Sequence, residues 1–382
     1  MFYQTQHQTE IQQMLADSAS RFLKDNYDFH EHYQRLKKRT PVRDDIWQTF
    51  ADLGWLAVPY AEEFGGFDGK CSDLTPLLTL FGEHLVLEPF VSQCLSGQLI
   101  EQLGSEWQKT HYIPALIDAK YRMSLAYYEA SHRYQLSSLD SISSLNTDGS
   151  INLKAQKVYV QDTQQLTHLL ILSADVKNGQ WRWVIVPTDH SGVKLEHYPG
   201  TDDRPMASVN ISITGLSAEH ILDKGHTQVV TQKMFNTAIA YNCADSLGCI
   251  NKLMHLTATY LNDRKQFGQT LAQFQALQHK LANMFIQQQR AISMLTMLAE
   301  QLLEVSDEQQ HYISSLASLQ VHAAAKFIAE TAIQLHGGIG TTEELNIGHY
   351  AKRLLANACR YGDSHYHQLR CCKQLRTKSK IS

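Results

Sequence analysis

The sequence predicts an α+β protein in which helical segments flank a small β domain. Apolar residues recur at helical spacing from the start to about residue 118. Short, turn-bounded β runs fill about 119–225, and helical periodicity returns from about 226 and stays. With 382 residues the chain is long enough for two or three domains of roughly 100–200 residues each. The expected boundaries are 1–118 for an N-terminal helical domain, 119–225 for a middle β domain and 226–382 for a C-terminal helical domain.

In the first segment Ile46, Phe50 and Leu53 fall at spacings of four and three, which predicts one apolar stripe facing a core. Asp44 and Asp45 stand where the positive end of a helix favours carboxylates, and Gly65–Gly66 breaks the chain. The middle segment has a β run at Leu169 to Leu172, a turn at Asn178–Gly179 and a second run from Trp181 to Val186. Val209, Ile211 and Ile213 alternate with Asn210, Ser212 and Thr214, the period of a half-buried strand. Beyond it Leu247, Ile250, Met254 and Leu261 make a helical stripe, Ser306 to Gln309 predicts a capping-box start, and an Ala-rich helix from Ser314 to His336 ends at Gly337–Gly338.

Composition excludes several classes. Apolar residues are 43% and charged residues 19%, and no run of about 18 apolar residues is present to span a bilayer. The opening MFYQTQHQTEIQQML has neither a basic region nor a continuous apolar stretch, so the protein is expected in the cytoplasm. A net charge of −4 without long single-sign blocks argues against nucleic acid. The basic tail of Arg370, Lys373, Arg376, Lys378 and Lys380 reads as a solvated end. Seven cysteines without a C-x-x-C pair read as reduced thiols, and 19 histidines without ligand spacing predict no metal site.

Two stretches carry chemistry. Arg264-Lys265-Gln266-Phe267-Gly268, followed by Phe274 to Gln278, pairs an arginine fork suited to a pyrophosphate with an aromatic that can cover a ring. Gln334-Leu335-His336-Gly337-Gly338-Ile339-Gly340 lets backbone amides approach an anionic or planar ligand. Taken singly, a helix break explains the first equally well and a helix C-cap the second.

Taken together they resemble the acyl-CoA dehydrogenase family, in which R-x-x-F-G and Q-[IL]-x-G-G runs grip FAD. Leu53 to Pro59 with Glu62 to Gly66 resembles the family's N-terminal L-G…P-E-x-x-G-G region, so the likeness covers nearly the whole chain. Gln334 through Thr342-Glu343-Glu344 to Lys352-Arg353 is similar to the small-subunit branch typified by pimeloyl-CoA dehydrogenase. The resemblance implies a β-barrel or sheet in the middle and a C-terminal four-helix bundle. Arg264, Phe267 and Gln275 would then bind FAD lying against a neighbouring subunit, and Gln334, Leu335, His336, Gly337 and Gly338 would line its adenosine and phosphates. Tyr128 falls where the family has a smaller hydroxyl residue meeting the flavin, and Tyr159 and Gln161 replace a tryptophan and a threonine.

The implied reaction takes an α proton from an acyl-CoA thioester while a hydride leaves the β carbon, giving a 2-enoyl-CoA, with electrons passing to an electron-transfer flavoprotein. Here the family's base glutamate is missing. Gly362 takes its position, Ala238 takes the family's alternative position, and Asp363 is the nearest carboxylate. The expected activity is acyl-CoA oxidation with Asp363 as base. The alternatives are a subunit that completes the FAD site of a hetero-oligomer whose other chain holds the glutamate, and a flavin oxidase or monooxygenase on the same fold.

Overall fold

A computed structural model describes residues 9–136, 138–222, 224–302 and 304–379; residues 1–8 of the opening segment and Lys380 of the basic tail lie outside them. The N-terminal helices are α1 (Glu10–Asn26), α2 (Phe29–Lys37), α3 (Asp44–Asp52), α4 (Cys71–Glu83), α5 (Phe90–Leu103) and α6 (Glu106–Ile117). Strands follow as β1 (Met123–Ala126), β2 (Ile142–Leu145), β3 (Ser150–Gln161), β4 (His168–Asp175), β5 (Trp181–Pro187), β6 (Val193–Pro199), β7 (Pro205–Ser217) and β8 (Ile221–Leu222). The rest comprises α7 (Thr227–Asp263), the short hairpin β9 (Lys265–Gln266) and β10 (Gln269–Thr270), α8 (Gln275–Gln301), α9 (Asp307–His336), α10 (Asn346–Asn357) and α11 (Ser364–Ser379). No helix among the described residues is long and apolar enough to cross a membrane.

The chain forms two compact units, one of Thr40–Lys70 and Leu87–Phe235, the other of Met1–Arg39, Cys71–Val86 and Asn236–Ser382. In the sheet unit the strands pair in the order β6-β7-β3-β2-β4-β5-β8, with β1 also on β4. Both β1 and β2 run parallel to β4, and the other pairs are antiparallel. Among the described residues the pairing path does not close on itself, and the strands form a mixed sheet. On β7 the expected alternation holds: Val209, Ile211 and Ile213 are buried beside Ile151, Leu153 and Ala155 of β3. The β4–β5 turn forms at Asn178–Gly179, where Gly179 has φ +69. Helix α5 is fastened to the sheet by Gln93, which is fully buried and spends its whole amide. Its Nε2 donates to the carbonyls of Leu116 (3.1 Å) and Tyr121 (2.7 Å), and its Oε1 accepts the Met123 N–H (3.0 Å).

One apolar stripe is corrected. α3 buries Ile46, Trp47 and Phe50, but Leu53 is 41% exposed. The helix stops at Asp52 and Gly54, at φ +76, turns the chain away before Leu53 reaches the core.

In the helical unit α8, α10 and α11 pack on α9, and α7 lies beside it. α4 crosses α7 almost backbone to backbone: a Cβ on Gly82 would sit 1.9 Å from the Asp245 carbonyl oxygen, and one on Gly248 would sit 1.8 Å from that of Thr79. No larger residue fits either place. The crossing sets Asp245 beside α10, where Arg353, 2% exposed, grips its carboxylate through two hydrogen bonds of 2.9 Å and donates to the Val86 carbonyl at 2.8 Å. Asn357 adds a bond of 2.7 Å to the same carboxylate.

The interior stripe of α9 is polar. His311, Ser315, Ser318 and His322 follow one another at spacings of four, three and four. His311 meets Asn236 of α7 (3.0 Å), Ser315 meets His367 of α11 (3.3 Å), and His322 meets both Ser318 (3.1 Å) and Asn242 of α7 (3.3 Å). The start of α9 differs from expectation: Ser306 is the N-cap residue, yet its hydroxyl turns to the Gln309 side chain (3.3 Å) and caps no backbone N–H. Reciprocal capping boxes form instead at Thr9 with Gln12 and at Ser105 with Gln108.

Candidate functional site

The two glycine-bearing stretches come out at one end of the helical unit. α7 and α9 run side by side in the same direction, and they meet at their ends through Tyr260 and His336, whose rings stack at 4.4 Å with an interplanar angle of 27°. The Tyr260 hydroxyl also donates to the His336 carbonyl at 3.4 Å. Arg264 therefore leaves α7 close to where Gly337 and Gly338 leave α9. His336 and Leu335 are buried, and the His336 Nδ1 lies 2.8 Å from the Ala332 carbonyl. Burial holds the His336 pKa below its ordinary range, against the opposing pull of the Ala332 carbonyl. Gln334, Gly337 and Gly338 are exposed. A Cβ built on Gly337 or Gly338 meets nothing within 4 Å, and Gly337 takes φ +65.

Past Arg264 the chain folds back in the β9–β10 hairpin, whose turn is Phe267 at φ +54 and Gly268 at φ +82. Left-handed backbone is uncommon for a bulky aromatic, and it holds the Phe267 ring 91% exposed. Its ring stands edge-on to Phe274 at 6.2 Å. The Arg264 carbonyl accepts the Leu271 N–H at 2.8 Å, which brings the start of α8 back toward it. Phe274 at that N-cap offers no side-chain acceptor, so the positive end of α8, beginning with exposed Gln275, faces outward. The Arg264 side chain is exposed and forms no hydrogen bond or ion pair among the described residues. A fork of positive charge, an uncapped helix start and an open pair of glycines are a donor set that fits a dinucleotide pyrophosphate.

The loop that should carry a base is closed. Gly362, buried, lies between α10 and α11 with φ +132, a conformation that L side chains rarely adopt. A Cβ there would stand 2.4 Å from Cδ1 of Tyr366 and 2.7 Å from Nε2 of His367. Asp363 is half-buried, and its Oδ1 accepts the Tyr366 N–H at 2.9 Å while its carbonyl accepts the His367 N–H at 3.1 Å. It is the N-cap of α11. His367 is 1% exposed, and its Nε2 lies against the Gly362 backbone without a hydrogen bond of ordinary geometry. Burial pushes its pKa down to about 3, helped by the charges of Arg370 and His322. Ala238, the other position, is fully buried.

In the sheet unit Tyr128 is half-buried, its ring 4.2 Å from that of Tyr127 and 5.8 Å from that of Tyr134. Beside it Lys157, 1% exposed, donates to Glu129 at 2.6 Å. Burial lowers the Lys157 pKa to about 8 against the opposing pull of Glu129. Burial pushes the Glu129 carboxyl up, yet Lys157 and donors from Ser141 and Asp140 bring it below the ordinary carboxylate range. Tyr159 sits in a register shift of β3 at φ +54, 61% exposed, and its N–H donates to the Tyr198 hydroxyl at 3.2 Å. Glu129, His132 and Asp140 offer ligand atoms within 4.8 Å of one another, but Lys157, Ser131 and backbone N–H groups already engage those carboxylates.

Sequence reasoning missed Tyr260, Tyr366 and His367. Tyr260 is 76 positions from its partner His336, and nothing local signals that pairing. Tyr366 and His367 could have been suspected from their place one turn after the glycine.

Models of the acyl-CoA dehydrogenase N-terminal and C-terminal domains match residues 9–120 and 224–375. The chain belongs to the acyl-CoA dehydrogenase family, whose members are FAD-dependent oxidoreductases of acyl-CoA thioesters. It is 24% identical over 338 residues to the acyl-CoA dehydrogenase FadE12 of Mycobacterium tuberculosis, covering 83% of this chain and 84% of that one. Butyryl-CoA dehydrogenase from Megasphaera elsdenii superimposes with a TM-score of 0.88 at 17% identity, covering 98% of this chain and 100% of that one. The ChsE4-ChsE5 complex from Mycobacterium tuberculosis gives a TM-score of 0.86 at 18% identity, covering 97% and 98%.

Proposed function

We propose that this chain is one subunit of an FAD-dependent acyl-CoA dehydrogenase and that an unlike chain provides the acceptor for the α proton. The observation that carries this reading is the filled space at Gly362, with Ala238 buried and Asp363 engaged at the start of a helix. A similar structure is a complex of two named chains, ChsE4 and ChsE5, which lends the two-chain arrangement support.

Bound FAD would supply the hydride acceptor for the substrate's β carbon, with an electron-transfer flavoprotein as the onward electron acceptor. In this chain Arg264 supplies a bidentate cation for the pyrophosphate, and the amides at Gly337–Gly338 approach it unhindered. The α8 start at Gln275 adds the positive end of a helix, and Phe267 presents a ring face to cover the cofactor. His336 holds the end of α9 in place through Tyr260, and Leu335 beside it in the chain is buried. Because Arg264, Phe267, Gln275 and Gln334 are all exposed in the single chain, a second subunit completes the site.

A second reading keeps Asp363 as the base, because it is the carboxylate next to the family's glutamate position. The deciding experiment is anaerobic titration of the purified chain, alone and as a co-expressed two-chain complex, with a panel of acyl-CoA thioesters while flavin absorbance is followed. Bleaching confined to the complex supports the proposal. Full, rapid bleaching by the chain alone refutes it.

A further inference from the structure

Position 362 looks at first like a site that has merely lost its glutamate. Its surroundings are built otherwise. Asp363 caps α11 through the Tyr366 N–H, and this sets the first helical turn directly over Gly362. Tyr366 then covers the glycine with its ring edge and is itself held under the Arg370 guanidinium, 5.5 Å from the ring centroid. Arg370 reaches Asn236 of α7 at 3.4 Å. His367 covers the other side and is tied at Nδ1 to Ser315 of α9 at 3.3 Å. Three helices therefore hold the two side chains that occupy the place where a Cβ would begin.

We propose that the first turn of α11 is a fixed plug, with Tyr366 and His367 as positioning residues that keep position 362 clear of any side chain, so that the loop offers no proton acceptor at the family's base position. The inference rests on the reading that this loop is the family's base position. It adds that the loop has been rebuilt and that a glutamate restored there finds no room. Gly362→Glu alone gives no gain in flavin reduction by acyl-CoA.

The test is a double-mutant cycle on the FAD-loaded full chain, purified with its co-expressed partner if it has one. Gly362→Ala, Tyr366→Ala and the combined variant are compared with the parent by thermal and urea unfolding midpoints. Adding the methyl group to the parent lowers the midpoint by several degrees. In the Tyr366→Ala background the same addition lowers it by less, because Cδ1 at 2.4 Å and Cε1 at 2.9 Å are gone, while His367 Nε2 at 2.7 Å and the backbone strain remain. Should Gly362→Ala alone yield no soluble protein, recovery of soluble protein in the combined variant supports the plug in the same way. Equal losses in the two backgrounds, equal loss of soluble protein, or an unchanged midpoint for Gly362→Ala overturn it. This readout involves no acyl-CoA, so the plug can fail while the two-chain reading stands, and the reverse.

Discussion

Replacing Asp363 separates a structural carboxylate from a catalytic one, because asparagine serves as well as aspartate at a helix N-cap but cannot accept a proton. The bond at stake is the 2.9 Å contact from the Tyr366 N–H to Oδ1. Asp363→Asn keeps an oxygen there and loses only the charge at the positive end of α11, about 0.3–1 kcal/mol. Asp363→Ala loses the acceptor as well, for a total of about 1–2 kcal/mol. On the proposed reading the asparagine variant of the assembled enzyme reduces its flavin with acyl-CoA within about threefold of the parent rate, and the alanine variant shows a lower urea midpoint with FAD still bound. Loss of a general base costs about 100- to 10,000-fold in rate. A drop of that size in Asp363→Asn, with stability unchanged, would falsify the view that this chain leaves proton abstraction to a partner. Rapid-mixing measurement of flavin reduction, paired with urea unfolding, reads both quantities on one preparation.

Arg264→Ala removes a charge-assisted contact of about 1.5–3 kcal/mol and should weaken FAD retention by about tenfold or more, measured by fluorescence of released flavin; unchanged retention places the pyrophosphate elsewhere. Arg353→Ala strands the buried Asp245 carboxylate and should cost about 3–5 kcal/mol in urea unfolding, whereas a loss below 1 kcal/mol would mean that the pair is solvated. His367 binds its proton more weakly folded, with a pKa of about 3, than unfolded, near 6.5. The unfolded chain therefore holds more protons between those values, and the stabilising contribution is complete above pH 6.5 and lost as pH falls, by at most about 1.4 kcal/mol per unit. Comparing unfolding midpoints at pH 7 and pH 5 for the parent and His367→Asn should show a smaller acid loss in the variant; identical losses would exclude His367 as a source.

Local periodicity carried much of the fold. The β7 alternation needs only neighbouring residues to be read, and Gly337 announces the end of α9 because a cap at positive φ, here +65 with ψ −147, favours glycine. Leu53 shows where this fails: a stripe extended by spacing ignores the turn at Gly54 that ends it. The family motifs pointed to Arg264 and Gly337–Gly338, but their meeting at one end of the unit depends on α7 and α9 running in parallel, which Tyr260 and His336 secure across a long sequence separation. Gly362 was legible as a missing glutamate and not as a filled space. Its φ and the approach of Tyr366 and His367 depend on how α11 is aimed, and a string of residues does not contain that angle.

The polar stripe of α9 bears on how the bundle chooses one alignment. Alanine and leucine surfaces are forgiving, and helices lined with them can slide by a turn, about 5.4 Å, and still bury oil against oil. His311, Ser315 and His322 make such a slide expensive, since each meets a polar counterpart at one height on α7 or α11 and would lose it at another, while Ser318 fixes the His322 ring from within α9. The stripe thus works like the teeth of a key: it adds little to the strength of the lock, but it admits a single insertion depth. Through that depth the ends of α7 and α9, and with them Arg264 and Gly337–Gly338, arrive level with one another.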